Sequence, residues 1–277
     1  KHTVKTPSLA AKVEFEIDSQ TGAIKKYTVN GTSYIKDDFG FRPSYWRAPN
    51  DNDYGNGSPA KWQLWKTYGK NLKPSSIKEE MIDGNRVITV VYSLDDLKCE
   101  NTITYTVEPS GSLTIDANMS PASLGEAPRY GMRWRMPEAF SHVKYYGRGP
   151  WENYCDRKDG AMKGIYSCDV KDMYYPYVRP QETGHKVDVR WVEVFNDNGH
   201  GLAICAMSDK GIANDGDCFE FNALHQGIED LDSEEANAPY QWTNFVENDP
   251  HDVESARNVK RKQTHASDIT NRDFTEI

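Results

Sequence analysis

Turn signals recur along this chain between β-branched runs, and that alternation constrains its fold more than any other feature. Asn30-Gly31 stands between Tyr27-Thr28-Val29 and Thr32-Ser33-Tyr34-Ile35, and Asn-Gly readily takes the positive φ angles of a type I′ hairpin turn. Asp18-Ser19-Gln20-Thr21-Gly22 follows Val13, Phe15 and Ile17, which alternate with polar residues. Asp83-Gly84 precedes Arg86-Val87-Ile88-Thr89-Val90-Val91-Tyr92, and Pro109-Ser110-Gly111 joins Thr102-Ile103-Thr104-Tyr105-Thr106-Val107 to Leu113-Thr114-Ile115-Asp116. Asn196-Asp197-Asn198-Gly199 joins a run from Val187 to Phe195 with one from Leu202 to Met207. The pattern predicts an all-β sandwich.

One short helix interrupts it. Ser58 suits the N-cap, Pro59 the first turn and Gly69 the end, with Trp62, Trp65 and Tyr68 on one face. That aromatic stripe reads as core packing. A second short helix is expected around Leu224, Ile228 and Leu231. A polar excursion from Glu247 to Ser267 precedes a last strand near Asp273-Phe274-Thr275-Glu276-Ile277. With 277 residues, no repeat and no linker signal, the chain is expected to form one domain over residues 1–277.

Composition narrows the function. The chain has 42 acidic and 33 basic residues, a net charge of −9, which argues against nucleic acid as a partner. A mean hydropathy of −0.78, with no apolar run of membrane-spanning length, argues against a membrane partner, and Lys1-His2-Thr3-Val4-Lys5 is no signal peptide. The five cysteines form no Cys-x-x-Cys pair, hence neither a disulfide framework nor a zinc site. Cys205 and Cys218 lie in neighbouring apolar runs, and buried free thiols are expected.

Three dense stretches carry the candidate chemistry. Gly147-Arg148-Gly149-Pro150-Trp151-Glu152-Asn153-Tyr154-Cys155-Asp156-Arg157 should begin with a bend where a strand breaks off. Trp151 and Tyr154 then offer flat apolar faces, while Glu152, Asn153, Asp156 and Arg157 offer hydrogen-bonding groups; the combination suits a sugar. A corner loop with paired charges and inward aromatics explains the same residues. In the stretch from Tyr174 to His185, Tyr177, Gln181, Glu182 and His185 put a stiff aromatic segment beside groups that bind hydroxyls. His185 with Glu182 is the local candidate for an acid/base pair. Glycoside hydrolysis needs two carboxyl groups roughly 5 to 9 Å apart, and Glu152, Asp156 and Glu182 qualify by type.

The third stretch, from Arg47 to Gly57, fails as an EF-hand. Counted from Asp51, its fifth, sixth and twelfth positions hold Gly55, Asn56 and Trp62. It reads instead as a loop whose Asx side chains satisfy their own backbone, with Asp51 and Asp53 the candidates for any calcium or sodium ion.

Taken together, Arg47-Ala48-Pro49-Asn50-Asp51-Asn52-Asp53, Gly149-Pro150-Trp151-Glu152-Asn153-Tyr154-Cys155-Asp156-Arg157 and Tyr177-Val178-Arg179-Pro180-Gln181-Glu182-Thr183-Gly184 come in one order. With Phe219-Glu220-Phe221-Asn222-Ala223-Leu224 they resemble, across essentially the whole chain, the C-terminal small-chain domain of bacterial β-galactosidases of glycoside hydrolase family 2. The resemblance implies a galactose-mutarotase-like supersandwich of twisted antiparallel sheets. It also implies a parent enzyme that hydrolyses terminal β-D-galactosides on a (β/α)8 barrel, of which this domain is an inert buttress.

In that family the barrel holds both catalytic glutamates, the acid/base one after an Asn, and this chain contains no Asn-Glu dipeptide. The strand matching Arg272-Asp273-Phe274-Thr275-Glu276-Ile277 there runs on into a glycine-rich loop with a Trp, so a domain truncated before that loop is expected. Implied partners are the parent's other domains, chiefly the barrel, and carbohydrate. No cofactor is implied within this chain, any Mg or Na ions of the parent being bound elsewhere, and the compartment is bacterial cytoplasm or periplasm. The alternatives are a free-standing carbohydrate-binding module, or an aldose epimerase using His185 and Glu182. Glu152, Asp156 and Arg157 are expected to build a buried polar network, with Arg47, Asn50, Asp51 and Asp53 as a structural loop.

Overall fold

The computed structural model describes residues 10–120, 127–208, 211–212, 218–232 and 272–277. The excursion expected over 247–267 lies outside the described residues. Antiparallel strands dominate, as the turn signals require, and four short helices accompany them among the described residues: α1 (Asp51–Gly55), α2 (Ser58–Lys61), α3 (Gln63–Lys70) and α4 (Ile228–Leu231). The helix expected from Ser58 to Gly69 is thus broken in two. Trp62, at φ −97° and ψ 3°, leaves the helical region without a capping side chain. Gly69 does not end α3; Asn71 does, donating both its backbone N–H and its side-chain amide to the Thr67 carbonyl.

The chain divides into two compact units, residues 1–46 with 60–137 and residues 47–59 with 138–277. The first holds a three-stranded sheet of β1 (Val13–Ile17), β2 (Ile24–Val29) and β3 (Thr32–Ser33). Its four-stranded sheet runs in the order β5 (Ser76–Ile82), β6 (Asn85–Leu94), β7 (Cys99–Val107), β8 (Leu113–Met119), and β4 (Arg42–Ser44) pairs with β9 (Gly131–Arg133), which β10 (Arg135–Pro137) follows. The hairpin turns take the backbone that their sequences favour. Asn30 and Gly31 have φ of 51° and 87°, and Asp83 and Gly84 have 50° and 82°, the double positive φ of a type I′ turn.

Alternation then sorts the side chains. Ile88, Val90, Tyr92, Ile103 and Tyr105 point inward to meet Phe15 and Tyr27 from the other sheet, while the intervening threonines stay half-buried. Burial pushes the Tyr27 phenol up to about 12, and its hydroxyl donates to the Gly111 carbonyl at 2.5 Å. The edge strand β5 is exposed along its whole length. Its Glu79, on the core-side face, pairs with Arg86 at 2.6 Å, and such an inward charge blunts an open sheet edge.

The second unit is built on a four-stranded sheet in the order β12 (Met162–Asp169), β11 (His142–Gly149), β14 (Trp191–Phe195), β15 (Gly201–Cys205). Beside it, β16 (Met207–Ser208) pairs with β17 (Gly211–Ile212), and β13 (Lys186–Val189) with β18 (Phe219–Phe221). The run from Val187 to Phe195 is therefore two strands in two sheets rather than one. Asp188, at φ 54°, bulges out of register, and Arg190 hands the chain to β11 through its N–H to the Tyr146 carbonyl at 2.9 Å. At the C-terminal end, Phe274–Glu276 forms a strand as expected, and Leu224 exchanges backbone hydrogen bonds with Glu276. The cysteines depart from expectation. Cys99 is buried and Cys168 half-buried, whereas Cys155, Cys205 and Cys218 are exposed, and all are free thiols.

Trp65 is 2 % exposed and packs beside Tyr45, whose hydroxyl accepts from the Asn101 amide at 2.7 Å. Trp65→Ala should cost about 3–5 kcal/mol in urea denaturation. Leu64→Ala, one residue away on the exposed face, should stay within about 0.5 kcal/mol.

Candidate functional site

All three dense motifs lie in the second unit, and they meet there. The first surprise is where the strand stops. β11 runs straight through Gly147 and Gly149 instead of bending at them. A Cβ on Gly147 would sit 2.7 Å from Val189 Cγ2 and 3.1 Å from Val189 Cα, so glycine is demanded by the close approach of β13 rather than by a turn. Pro150, which has no N–H to give the ladder, is where the strand ends.

Beyond it the chain is held by Asn153, whose side chain is fully buried. Its amide donates to the carbonyls of Arg148 and Trp151 at 3.1 and 2.9 Å, and its Oδ1 accepts from the Val187 N–H at 3.0 Å. Its own N–H donates to the His185 carbonyl at 2.9 Å. One amide thus ties residues 148–153 to 185–187, a role that its place among sugar-friendly residues did not suggest.

Glu152 is the hub of the site. Its Oε1 accepts from the Arg157 guanidinium at 2.7 Å and from the Tyr177 hydroxyl, and its Oε2 from the Gly184 N–H at 2.8 Å and the Thr183 hydroxyl at 3.3 Å. Burial works to raise its pKa, but the hydrogen bonds from Tyr177, Gly184 and Arg157 outweigh it and hold the carboxyl below the usual range. Gly184 reaches this position at φ +74°, where a Cβ would meet the Met173 carbonyl at 2.7 Å. Glu152 and Arg157 do pair, but the buried network expected of Glu152, Asp156 and Arg157 needs two corrections: Arg157 is exposed and Glu152 half-buried, and Asp156 stays out of it. Asp156 is exposed and makes no ion pair among the described residues, because the Tyr154–Arg157 turn points it away. Trp151 does not pack into the core and is 75 % exposed.

The stretch from Arg47 to Gly57 is a loop that holds a short capped helix, α1, and its Asx side chains do satisfy their own backbone. Asn50 Oδ1 accepts from the Asp53 N–H and Asp53 Oδ2 from the Asn50 N–H, a reciprocal box that starts α1. Asp53 is also gripped by Arg47 through two bonds of 2.5 and 2.9 Å. Asp51 accepts from the Gln181 amide at 3.1 Å and lies 3.8 Å from Arg179, whose guanidinium stacks 3.6 Å over the Tyr54 ring. The carboxylates of Asp51 and Asp53 are thus taken up by cationic and amide partners. Among the described residues no three His, Cys, Asp or Glu side chains converge as metal ligands.

His185 lies deep in the same cluster. Its ring stacks on Tyr154 at 5.0 Å, Nδ1 faces Asn222 Oδ1 at 2.8 Å, and Nε2 faces Glu220 Oε2 at 3.0 Å. Glu182 Oε1 stands 3.8 Å from Nδ1, outside hydrogen-bond range. Both residues are buried, and both ring nitrogens are engaged, which leaves neither to reach a sugar. Asn222 and Arg148, present within motifs but given no role in sequence, and Lys186, not singled out at all, complete the cluster. Asn222 also donates to the Thr183 carbonyl, and buried Lys186, its pKa lowered by desolvation, donates to the Gly184 carbonyl at 3.3 Å. Arg148 pairs with Asp188 at 2.5 Å, a partner 40 positions away that only the fold reveals. Polar residues inside short apolar strands were the available signal.

Glu152→Gln should lower stability by about 1–3 kcal/mol, since it weakens the acceptor that four donors share, two of them, Thr183 and Gly184, buried. The carboxyl pKa is lowered on folding, so its contribution is complete above the ordinary value of 4.5 and is lost as pH falls below it. Denaturation curves against pH should accordingly be less acid-sensitive in Glu152→Gln, while Asp156→Asn should change stability by no more than about 0.5 kcal/mol.

Comparison with known proteins gives this geometry a context. A β-galactosidase of Priestia megaterium (strain DSM 319 / IMG 1521) is 36% identical over 210 residues, covering 75% of this chain and 19% of that protein. One of Streptococcus thermophilus is 32% identical over 215 residues, covering 77% and 20%. One of Psychromonas ingrahamii (strain DSM 17664 / CCUG 51855 / 37) is 32% identical over 259 residues, covering 84% and 25%. The chain thus spans about a fifth to a quarter of the length of these relatives. The family model described as the β-galactosidase small chain matches residues 10–263, which include all three motifs that meet at Glu152 and α1, and the chain belongs to that family.

Proposed function

We propose that this chain is the carbohydrate-binding-type small-chain domain of a glycoside hydrolase family 2 β-galactosidase. In this reading it buttresses the catalytic barrel, helps to shape its substrate entrance and is not hydrolytic alone. The observation that carries the reading is the state of Glu152. A glycosidase acid needs a carboxyl whose pKa is raised so that it holds a proton near neutrality. Glu152, the central carboxylate of the site, is instead held ionised by fixed donors. Its companion Glu182 is buried beside His185, and Asp156 stands alone on the surface. Such a site fixes a wall; it does not move protons.

The outward groups are those left for recognition. Trp151 stands exposed between the fixed strand end and Glu152, and Tyr175 and Val178 are exposed on the neighbouring motif. A binding module reading is favoured by the same Trp151, whose flat face lies in sequence beside Asp156 and Arg157, both exposed. Any Mg or Na ion of the parent enzyme is assigned to residues outside this chain.

The purified chain should show no hydrolysis of a chromogenic β-galactoside; rapid turnover would sink the proposal. In the whole β-galactosidase, Trp151→Ala should lower kcat/KM or thermal stability while leaving the isolated chain's stability within about 0.5 kcal/mol. Equal behaviour of variant and parent would remove Trp151 from the interface. Calorimetry of the chain with millimolar galactose and lactose separates the module reading, which requires measurable heat.

A further inference from the structure

At one end of the sheet β12-β11-β14-β15, His142 lies directly across from Asp169 on one neighbour and from Phe195 on the other. Its imidazole Nδ1 is 2.9 Å from Asp169 Oδ1, and its Nε2 is 2.7 Å from Asp197 Oδ1. Asp197 belongs to the turn 196–199 that joins β14 to β15. An ionised carboxylate can only accept hydrogen bonds, and a neutral imidazole has a single N–H to donate. A ring bonded to two carboxylates must therefore carry a proton on each nitrogen.

The surroundings favour the same doubly protonated ring. Asp169 is held on its other oxygen by Lys171 at 3.3 Å, whereas Asp197 is almost wholly exposed. The Phe195 ring, 5.4 Å from the imidazole, is uncharged. Lys144 and Glu193, opposite each other, occupy the next rung of the same sheet face. Cys168 shares with His142, Asp169 and Asp197 the lining of a cleft of about 480 Å³. The hydrogen bonds to Asp197 and Asp169 hold the imidazole pKa above its ordinary 6.5, against a small opposing effect of burial.

We propose that His142 is a proton-operated staple that ties the turn 196–199 to the end of β12 beside this cleft. Protonated, the ring bonds both carboxylates. Deprotonated, it keeps a bond to one of them and lets go of the other, and Asp197, which has no second anchor among the described residues, is the one released. Because the folded pKa is raised, the staple is complete below pH 6.5 and is lost as pH rises through the folded value. The cleft mouth thus loosens toward alkaline pH.

The test is a histidine-resolved NMR titration of the whole chain, with the His142 signal assigned through His142→Asn. The expected result is a His142 midpoint above 6.5, with the amides of Asn198 and His200, which donate to Asn196 Oδ1 within the turn, shifting at the same midpoint. Asp197→Asn, a surface change, should lower the midpoint and abolish the step in those amides while circular dichroism stays unchanged. A midpoint at or below 6.5, or turn amides that titrate independently of His142, would overturn the proposal. The wild-type titration decides the matter even if a variant folds poorly.

Discussion

A carboxylate withdrawn from water must be met by donors, and in the second unit much of the motif geometry follows from how Glu152 meets them. Its four donors come from three places in the sequence: Arg157 in the same turn, Tyr177 on the aromatic segment, and Thr183 with Gly184 just before β13. Thr183 passes the constraint on, since its hydroxyl also bonds the backbone of Tyr175. Asn153 performs the neutral version of the same task one residue later, tying the end of β11 to the start of β13. Charge and amide together replace the regular ladder where the strand ends.

What sequence could read here was whatever is decided locally. Asn30-Gly31 and Asp83-Gly84 dictate their own φ angles, so the hairpins were legible before any partner was known. The Glu152–Arg157 pair was legible because the two stand only five positions apart around one turn. Asp156 was misplaced for the converse reason: residue type says nothing about which way a turn points a side chain. Gly147 shows the same limit. Its glycine serves Val189, and nothing near Gly147 in sequence announces that neighbour. The bond from Gln181 to Asp51 spans 130 positions, so the convergence of the motifs was open to resemblance but not to local physics.

The first unit runs on different physics. Its sheets are joined by aromatic rings whose hydroxyls find backbone carbonyls: Tyr27 on Gly111, Tyr92 on Thr21 and Tyr105 on Phe41. Each ring buries a large apolar face and still satisfies its polar tip, which suits a core that must be wide yet leave few polar groups stranded. No comparable cluster of buried charge is found among its described residues, which concentrates the candidate chemistry in the second unit.

The helix α1 is five residues long, too short to persist by backbone hydrogen bonds alone. It exists because Asn50 and Asp53 close its first turn and because Arg179 lies on Tyr54 and near Asp51 from outside. Two segments far apart in the gene therefore share one structural fate. A change at Arg179 would be felt as unwinding around Asp51, and drift at either position would be admissible only when the other drifts with it. Among related chains, these distant positions should vary as a pair.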